Sequence, residues 1–271
     1  MKERISITLD AKLMGSLNSI IDGVTIANRS QAIEYLIRKT LDDQKTAVIL
    51  CGGKHIALEN GFYKVCAPFN GATVIEHNIK TLRKNGFEKF FIAGSKKALI
   101  EVFKIIGNGE SYGISVEYVE DDPKPKGSMN TLSKVRQINQ TFLVLSGDEI
   151  LGDVNILSVW KAHILNKSLA TLHVQATTSK MEKMGTVILE GNLIKEFVEK
   201  APTKNSLIHY SGFFVADQEF FNQKGDSLEK DVFPKLAQKG LLCGQHTPGI
   251  VHHFNTNQEL KEVEKILKKI K

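Results

Sequence analysis

Two hydrophobic periods divide this chain into a short N-terminal segment and a long remainder. Residues 4–9 alternate polar and apolar side chains, a pattern typical of a half-buried β-strand. Two stretches with apolar residues at helical spacing follow. Asp10 is placed to cap the first predicted helix, and Asn28 with Gln31 predicts a capping box for the second. The segment is therefore expected to form one strand and two helices.

Beyond Thr46, apolar runs alternate with helical stretches. The predicted strands are 47–50, 89–93, 114–118 and 141–145, and the predicted helices between them are 74–84 and 98–106. A last amphipathic helix is expected over 261–271. This order predicts an α/β fold with a Rossmann-like, mixed but mostly parallel sheet flanked by helices. The expected domains are residues 1–45 and 46–271.

Composition and charge restrict the function only weakly. The net charge of +6 mildly favours an anionic partner. The three cysteines lie far apart and show neither metal-ligand spacing nor a disulfide pattern, so a reducing cytoplasm is the expected location. No apolar run approaches the roughly 20 residues of a membrane helix. We therefore expect no membrane partner.

The N-terminal segment is too small to close a hydrophobic core by itself. Pairing of its strand with the same strand of a second chain would satisfy the backbone and form a homodimer, with a two-stranded ribbon that fits the major groove of double-stranded DNA. The segment resembles the ribbon-helix-helix family of repressors. The resemblance implies base contacts from one set of residues and DNA-backbone contacts from another, respectively Arg4, Ser6 and Thr8, and Asn28, Arg29 and Ser30. The alternative is a dimerisation arm that touches no DNA.

Two glycine-containing turns follow predicted strands of the long segment. Gly52, Gly53 and Lys54 follow the first strand, and Gly147 and Asp148 follow the fourth. Ligands of such sheets bind beyond the carboxyl ends of the strands, and paired glycines let backbone N–H groups approach a phosphate. Either turn alone is a weak signal.

Taken in order, the motifs of residues 46–260 resemble the sugar-phosphate nucleotidyltransferases, which join a sugar 1-phosphate to a nucleoside triphosphate and release pyrophosphate. The resemblance implies a nucleotide or nucleotide-sugar ligand and four groups of contacts. Phosphate would be held by Gly52, Gly53, Lys54 and Lys64, the base by Gly127 and Ser128, a metal ion by Asp148, and the sugar by Gly185, Glu199, Lys200 and Gly212. Mg²⁺ would accompany a bound nucleotide at Asp148, without being required for ligand binding.

The chain departs from the family pattern at several reactive positions. His55 and Ile56 replace small residues, and Ala57 stands where an arginine is expected. His253 occupies the place of a second metal-binding aspartate, and imidazole is a poor ligand for Mg²⁺. The loss of one such electrostatic group typically costs about 10²–10³ in rate. Catalysis is therefore predicted to be impaired, unless Glu199 or another nearby acid ligates the metal.

Individual residues also have simpler interpretations. Lys64 would then be a surface lysine, Asp148 the cap of a following helix, and the His252–His253 pair a matter of local packing.

These patterns together predict a DNA-binding transcription regulator whose nucleotidyltransferase-like domain senses a nucleotide sugar. The second hypothesis is an active sugar-1-phosphate nucleotidyltransferase with an N-terminal dimerisation or autoregulatory arm, in which Lys64 and Asp148 would be catalytic. A third is an assembly protein that binds no ligand.

Overall fold

The computed structural model describes residues 6–22, 26–41, 45–52, 57–59, 61–124, 126–166, 168–176, 185–200 and 207–269. The chain divides into two compact units, Met1–Gln44 and Lys45–Lys271. None of the helices in these ranges combines the length and the apolar character that crossing a membrane demands.

The small unit contains helix α1 (Ala11–Ser19) and helix α2 (Arg29–Leu41). The side chain of Asp10 accepts a hydrogen bond of 2.9 Å from the backbone N–H of Leu13. Asn28 accepts a bond of 3.0 Å from the N–H of Gln31, whose own side chain accepts from the N–H of Ala27 at 2.7 Å. The predicted caps are confirmed, because each satisfies backbone donors that a helix start leaves free.

The predicted N-terminal strand is not confirmed. Residues 6–9 lie outside any helix or strand, and Arg4 lies outside the described residues. A strand exists only when a second strand pairs with it, and the described part of the small unit supplies none. Ser6 and Thr8 are simply exposed. The Nε–H of Arg29 donates to Asn18 at 3.0 Å, so this guanidinium ties α2 to α1.

The large unit is built from short strands and helices. Its strands are β1 (Lys45–Cys51), β2 (Pro68–Phe69), β3 (Ala72–Thr73), β4 (Phe87–Gly94), β5 (Ser115–Glu120), β6 (Phe142–Ser146), β7 (Glu149–Leu151), β8 (Ala170–Ala176), β9 (Gly185–Glu190), β10 (Leu193–Glu199), β11 (Ile208–Ala216), β12 (Leu242–His246) and β13 (Val251–His253). Its helices are α3 (Val74–Lys84), α4 (Lys96–Ile106), α5 (Ser128–Leu132), α6 (Ile156–Asn166), α7 (Phe233–Gln238) and α8 (Asn257–Lys269).

The central sheet of the described residues has the strand order β5-β4-β1-β6-β11-β8-β12-β10-β9. Strands β5, β4, β1 and β6 are parallel, as the sequence predicts for this half. Beyond β6 most neighbours are antiparallel, so the prediction of a mostly parallel sheet holds only for the first half. The physical reason is visible between β9 and β10, since a turn of two residues joins only antiparallel strands. Antiparallel ribbons β7–β13 and β2–β3 complete the strand pairing.

Both faces of the sheet are covered by apolar helices. Residues such as Ile79 of α3 and Val102 of α4 pack with alternate residues of β1 on one face. Leu132 of α5 and Phe233 of α7 pack with Val48 and its neighbours on the other face. Strands β1 and β6 are therefore buried on both sides, and their carboxyl ends form a rigid edge on which side chains can be positioned.

A buried histidine of β8 belongs to a polar network inside the large unit. His173 is fully buried; its Nδ1 lies 2.7 Å from Ser211 Oγ, and its Nε2 lies 3.1 Å from Thr247 Oγ1. Burial, assisted by the neighbouring His246 and His209, lowers the pKa of His173 to about 3. The ring is therefore neutral in the folded protein over the whole range in which an unfolded histidine takes up a proton.

Acidification is expected to destabilise the protein through this histidine. Because the folded pKa is depressed, the contribution is present above pH 6.5 and is lost as the pH falls from about 6.5 towards 3. Between pH 7 and pH 5 the linkage corresponds to a loss of about 2 kcal/mol in the free energy of unfolding. Urea unfolding at both pH values should show this extra loss for the native chain relative to His173→Gln. An identical pH dependence of the two proteins would refute the assignment.

Candidate active site

The site forms where parallel strands β1 and β6 end side by side. Gly52 follows β1, and Gly147 with Asp148 follows β6. The N–H of Gly147 donates to the carbonyl of Leu50 at 2.9 Å, and a Cβ at Gly147 would lie 2.8 Å from that oxygen. Only a glycine permits this approach, which directs the next residue, Asp148, across the strand ends.

Lys64 is a buried cation of this site. Its residue exposure is 3%. Its Nζ lies 3.3 Å from Asp148 Oδ2 and donates to Asn255 Oδ1 at 2.9 Å. A buried ammonium needs such partners, so the interpretation of Lys64 as a surface lysine is wrong. Asp148 is followed by strand β7, so it does not cap a helix either.

A second acid–base pair lies next to Asp148. In the β7–β13 ribbon, Glu149 and His253 are directly opposite each other. His253 Nδ1 lies 3.0 Å from Glu149 Oε1 and 3.8 Å from Asp148 Oδ2. Glu149 is buried, whereas part of the His253 side chain reaches solvent. Glu149 is not among the predicted site residues, because its sequence context marks it only as the residue after the Gly-Asp turn.

Electrostatics couple these two residues strongly. Burial raises the pKa of Glu149 above its usual range. Burial lowers the pKa of His253, but the adjacent Glu149 carboxylate, helped by Asp148, more than offsets this and raises the pKa to about 9. The Glu149 carboxylate thus favours the protonated form of the His253 imidazole.

Three side chains of this site provide potential metal donors. One ligand atom each from Asp148, Glu149 and His253 lies within 4.8 Å of the others. Two carboxylates on adjacent residues fit a divalent cation, whose remaining positions stay available to substrate oxygens. Asp148 lies among these potential donors, and Glu149 offers a second carboxylate beside it.

Gly212 makes room for Glu149. It lies on β11 with φ +98°, in the left-handed region, and a Cβ there would lie 2.4 Å from Glu149 Cγ. The pairing of β11 with β8 also shifts register between Tyr210 and Phe214, which is typical of a bulge. The glycine at position 212 is therefore explained by the space that it leaves for the buried Glu149 carboxylate, independently of the predicted ligand contact.

The predicted base loop is anchored by a segment far along the chain. A Cβ at Gly127 would lie 2.5 Å from the carbonyl oxygen of Asp226. The hydroxyl of Ser128 donates to Glu229 Oε2 at 2.8 Å and accepts from the N–H of Leu228 at 2.9 Å. The hydroxyl of Ser128 is thus used by the fold, and the N–H groups of Met129 and Asn130 donate to the carbonyl of Asp226.

Gly52 packs above two buried polar residues. A Cβ at Gly52 would lie 3.2 Å from Thr131 Oγ1 and 3.4 Å from Asp121 Oδ2. Thr131 donates a short hydrogen bond to Asp121. These two residues pack against the turn after β1. The sequence does not identify them, because neither belongs to a recognisable motif.

Three of the four predicted sugar-binding residues, Gly185, Glu199 and Lys200, lie at the ends of β9 and β10, and Gly212 lies within β11. A Cβ at Gly185 would lie 2.5 Å from Phe197 Cζ and 3.1 Å from Glu199 Oε2. Lys200 has φ +54°, and its Nζ lies 3.7 Å from Glu199 Oε1. Burial, then the nearby Glu229, raises the pKa of Glu199.

The pKa of the Tyr210 hydroxyl depends on several carboxylates of the site. Burial raises its pKa, and the carboxylates that add to this effect are Glu229, Glu149, Glu199 and Asp148. Glu199 and the Asp148–Glu149 pair therefore all raise the pKa of the same hydroxyl.

Part of the predicted phosphate-binding loop lies outside the described residues. This part consists of Gly53, Lys54, His55 and Ile56. Ala57 is described and exposed, and it pairs as an isolated bridge with Tyr63.

The sequence profile of the nucleotidyl transferase family matches residues 46–243. The chain belongs to this family. The match covers the whole parallel half of the sheet and continues to β12, so it includes Gly52, Lys64, Asp148 and Glu199.

Characterised relatives carry transferase names. The catalytic subunit beta of mannose-1-phosphate guanylyltransferase from Danio rerio is 24% identical over 215 residues, 75% of this chain and 59% of the relative. Mannose-1-phosphate guanylyltransferase 2 of Oryza sativa, named as probable, is 23% identical over 216 residues, with the same two shares. The chain thus spans about 59% of the length of these relatives.

Solved structures share the fold. A protein described as a glucose-1-phosphate thymidylyltransferase from Bacillus anthracis aligns with a TM-score of 0.74 at 20% identity, covering 84% of this chain and 96% of that chain. The inositol-1-phosphate CTP transferase of T. maritima aligns with a TM-score of 0.69 at 18% identity, again over 84% and 96%. At these identities the likeness establishes the α/β nucleotidyltransferase fold.

The prediction of a DNA-binding sensor with impaired catalysis is wrong. The relatives are transferases of sugar or polyol phosphates, which favours the second hypothesis, an active enzyme. The prediction depends on His253 and Ala57 as single positions. In the structure Glu149 lies directly opposite His253, and Lys64 lies 3.3 Å from Asp148.

Proposed function

We propose that this protein is an active sugar-1-phosphate nucleotidyltransferase. The observation that carries the proposal is the joined cluster of Lys64, Asp148, Glu149 and His253 at the carboxyl ends of β1 and β6. Buried cations and carboxylates are costly to hold together, and such clusters occur where a reaction must handle charge. The family match over residues 46–243 supports the same reaction type.

The reaction displaces pyrophosphate from a nucleoside triphosphate. A phosphate oxygen of the sugar 1-phosphate attacks the α-phosphorus and forms a new P–O bond. The bond from the α-phosphorus to the oxygen that bridges to the β-phosphate breaks, and pyrophosphate leaves with that electron pair. Catalysis depends on bringing two anionic reactants into line and on neutralising them.

Charge neutralisation is assigned to the cluster. Lys64, held by Asp148 and Asn255, offers a fixed positive charge towards the triphosphate from a buried position. Its fixed orientation means that little reorganisation is needed as charge shifts onto the leaving group. Asp148 and Glu149 would hold a divalent cation, which when bound screens the phosphates and aligns them.

The Glu199–Lys200 pair is assigned to the second substrate. Glu199 offers carboxylate oxygens to ring hydroxyls, and Lys200, 3.7 Å away, offers an ammonium to the attacking phosphate. Lys200 holds a backbone φ of +54°, which is uncommon for a lysine and is typical of functional positions. Gly127 and the backbone of its loop would face the base.

The substrate class follows from what the relatives' names share. They name mannose 1-phosphate, glucose 1-phosphate and inositol 1-phosphate as acceptors, with different nucleotides. The common chemistry is a phosphate monoester on a polyhydroxylated ring and a nucleoside triphosphate. We assign this class to the present protein.

A matrix of substrates tests the assignment. The full chain is incubated with each of five nucleoside triphosphates and each of several ring phosphates, in the presence of Mg²⁺ or Mn²⁺, and nucleotide sugars are separated by chromatography. At least one pair should give a nucleotide sugar and pyrophosphate in equal amounts. Hydrolysis of the triphosphate without a sugar adduct, or no conversion in any well, would contradict the proposal.

For residues 1–45, a dimerisation arm stays a prediction, as does a cytoplasmic location. Ile7 and Leu13 of the small unit are 50% and 55% exposed in the single chain, which supports a covering partner.

Leu13→Lys should raise the dimer dissociation constant at least about tenfold, because burying a leucine contributes about 1.5–3 kcal/mol. Sedimentation of the full chain measures this. Leu165→Lys, on the exposed α6 surface, is the control, and a monomeric wild-type chain would refute the prediction.

A further inference from the structure

The least expected feature of the site is an imidazole among carboxylates. His253 Nδ1 lies 3.0 Å from Glu149 Oε1 and 3.8 Å from Asp148 Oδ2. Donor atoms bound to one cation at right angles, with bonds of about 2.1 Å, are about 3 Å apart. The His253–Glu149 pair therefore already has this spacing, and all three donor atoms lie within 4.8 Å of one another.

The backbone beneath these donors is firmly held. Glu149 and His253 are direct cross-strand neighbours in β7–β13, so neither can move without breaking the ribbon. Asn78 of α3, itself fully buried, donates to the carbonyl of Glu149 at 2.7 Å and accepts from the N–H of Leu151 at 3.0 Å. Such outer contacts orient ligands before the metal arrives, which raises metal affinity.

We propose that Asp148, Glu149 and His253 form a mixed carboxylate–imidazole site that selects a first-row transition ion, Mn²⁺, Co²⁺ or Zn²⁺, over Mg²⁺. Imidazole nitrogen suits transition ions, whereas Mg²⁺ prefers oxygen donors and parts reluctantly with its water. The carboxylates come from Asp148, in the turn before β7, and from Glu149, the first residue of β7, and the nitrogen comes from His253 of β13. Phosphate oxygens and water would complete the coordination.

The competing interpretation is a structural ion pair between His253 and Glu149. In that case the two residues stabilise the β7–β13 ribbon and have no part in metal choice. Substitutions would then change the free energy of unfolding and leave metal affinities alone. The two interpretations therefore differ in a direct binding measurement that needs no catalysis.

The test compares metal affinities of the full chain with those of His253→Asp, which converts the site to oxygen donors. Metal-depleted protein is titrated with Co²⁺, followed by visible absorption, and then with Mg²⁺ in competition. Wild-type protein should bind one Co²⁺ with nitrogen-influenced absorption. The ratio of the Mg²⁺ to the Co²⁺ dissociation constant should fall at least about tenfold in His253→Asp.

Two further variants make the result decisive. His252→Asp is the matched control, because neighbouring residues of a strand point to opposite faces, and it should leave the ratio unchanged. His253→Asn, a milder change, should weaken Co²⁺ binding at least about tenfold even if His253→Asp fails to fold. Equal metal ratios in wild type and His253→Asp, or equal Co²⁺ binding by wild type and His253→Asn, would overturn the proposal.

The inference rests on the proposed function only for the ligands that complete the coordination. If transfer occurs and the metal ratio does not respond to residue 253, the metal inference alone is wrong. If the ratio responds but no substrate pair reacts, the proposed function alone is wrong.

Discussion

Replacing Asp148 with Asn is expected to lower kcat/KM for nucleotidyl transfer by about 10³-fold. The carboxylate lies 3.3 Å from the buried Lys64 ammonium and is one of the three clustered metal donors. The amide removes the negative charge that fixes the lysine, and it is a weak ligand for a divalent cation. Steady-state pyrophosphate release by purified wild type and variant, with the substrate pair that reacts, measures the effect.

Asp153→Asn is the matched control for this change. Asp153 accepts a bond of 3.3 Å from the N–H of Ile250 through its Oδ1, which an asparagine oxygen still accepts. It lies outside the donor cluster, so this variant should keep nearly full activity. An Asp148→Asn enzyme within about fivefold of wild type would mean that the cluster is not the reaction centre, since such a loss is far below that of one preorganised group.

Gly212→Ala is expected to damage both stability and activity. The glycine has φ +98°, and the added Cβ would lie 2.4 Å from Glu149 Cγ. The backbone strain costs about 1–2 kcal/mol and the overpacking about 1–3 kcal/mol, so the free energy of unfolding should fall by about 2–5 kcal/mol. Activity should fall at least about 10²-fold, because Glu149 is displaced from the cluster. Urea unfolding and pyrophosphate release measure the two effects.

Two controls separate the strain from the collision. Gly191 also has positive φ, +61°, but no atom lies near its would-be Cβ, so Gly191→Ala reports the backbone cost alone. Adding Glu149→Ala to Gly212→Ala opens space and should recover at least about 1 kcal/mol of stability, a coupling expected only between residues in contact. Activity should not return. Full activity of Gly212→Ala would show that Glu149 has no part in the reaction.

The sequence predicts the parallel half of the sheet well. The runs 47–50, 89–93 and 141–145 are mainly apolar, and strands buried on both faces need that pattern. The first two lie within β1 and β4, and the third begins one residue before β6. Positions 74–84 match α3 because Thr73 and Glu76 form a capping box at its start. The antiparallel half depends on turns and cross-strand contacts that alternation alone did not specify.

The cluster itself was only half predictable. Lys64 and Asp148 were expected at the site, and the structure brings them together across 84 positions of sequence. Glu149 was not expected, because nothing local shows that it is opposite His253, which is 104 positions away. The Glu149 carboxylate therefore lies beside the position at which a second acidic ligand was expected, and only the strand register of β7 and β13 reveals it.

The N-terminal prediction failed for a related reason. Alternation over 4–9 is a sound strand pattern, but a strand also needs a partner. Among the described residues of the small unit, only the helices and their caps are realised.

A single-turnover experiment tests the central claim most directly. Excess full-length protein is mixed with a nucleoside triphosphate labelled at the γ-phosphate, a ring 1-phosphate and a divalent cation, and the reaction is quenched over time. The cluster of Lys64, Asp148 and Glu149 predicts that the label passes into pyrophosphate, only when the ring phosphate is present, and that chelation of the cation stops it. Label that stays in a protein-bound triphosphate throughout, with every substrate pair, would contradict an active transferase.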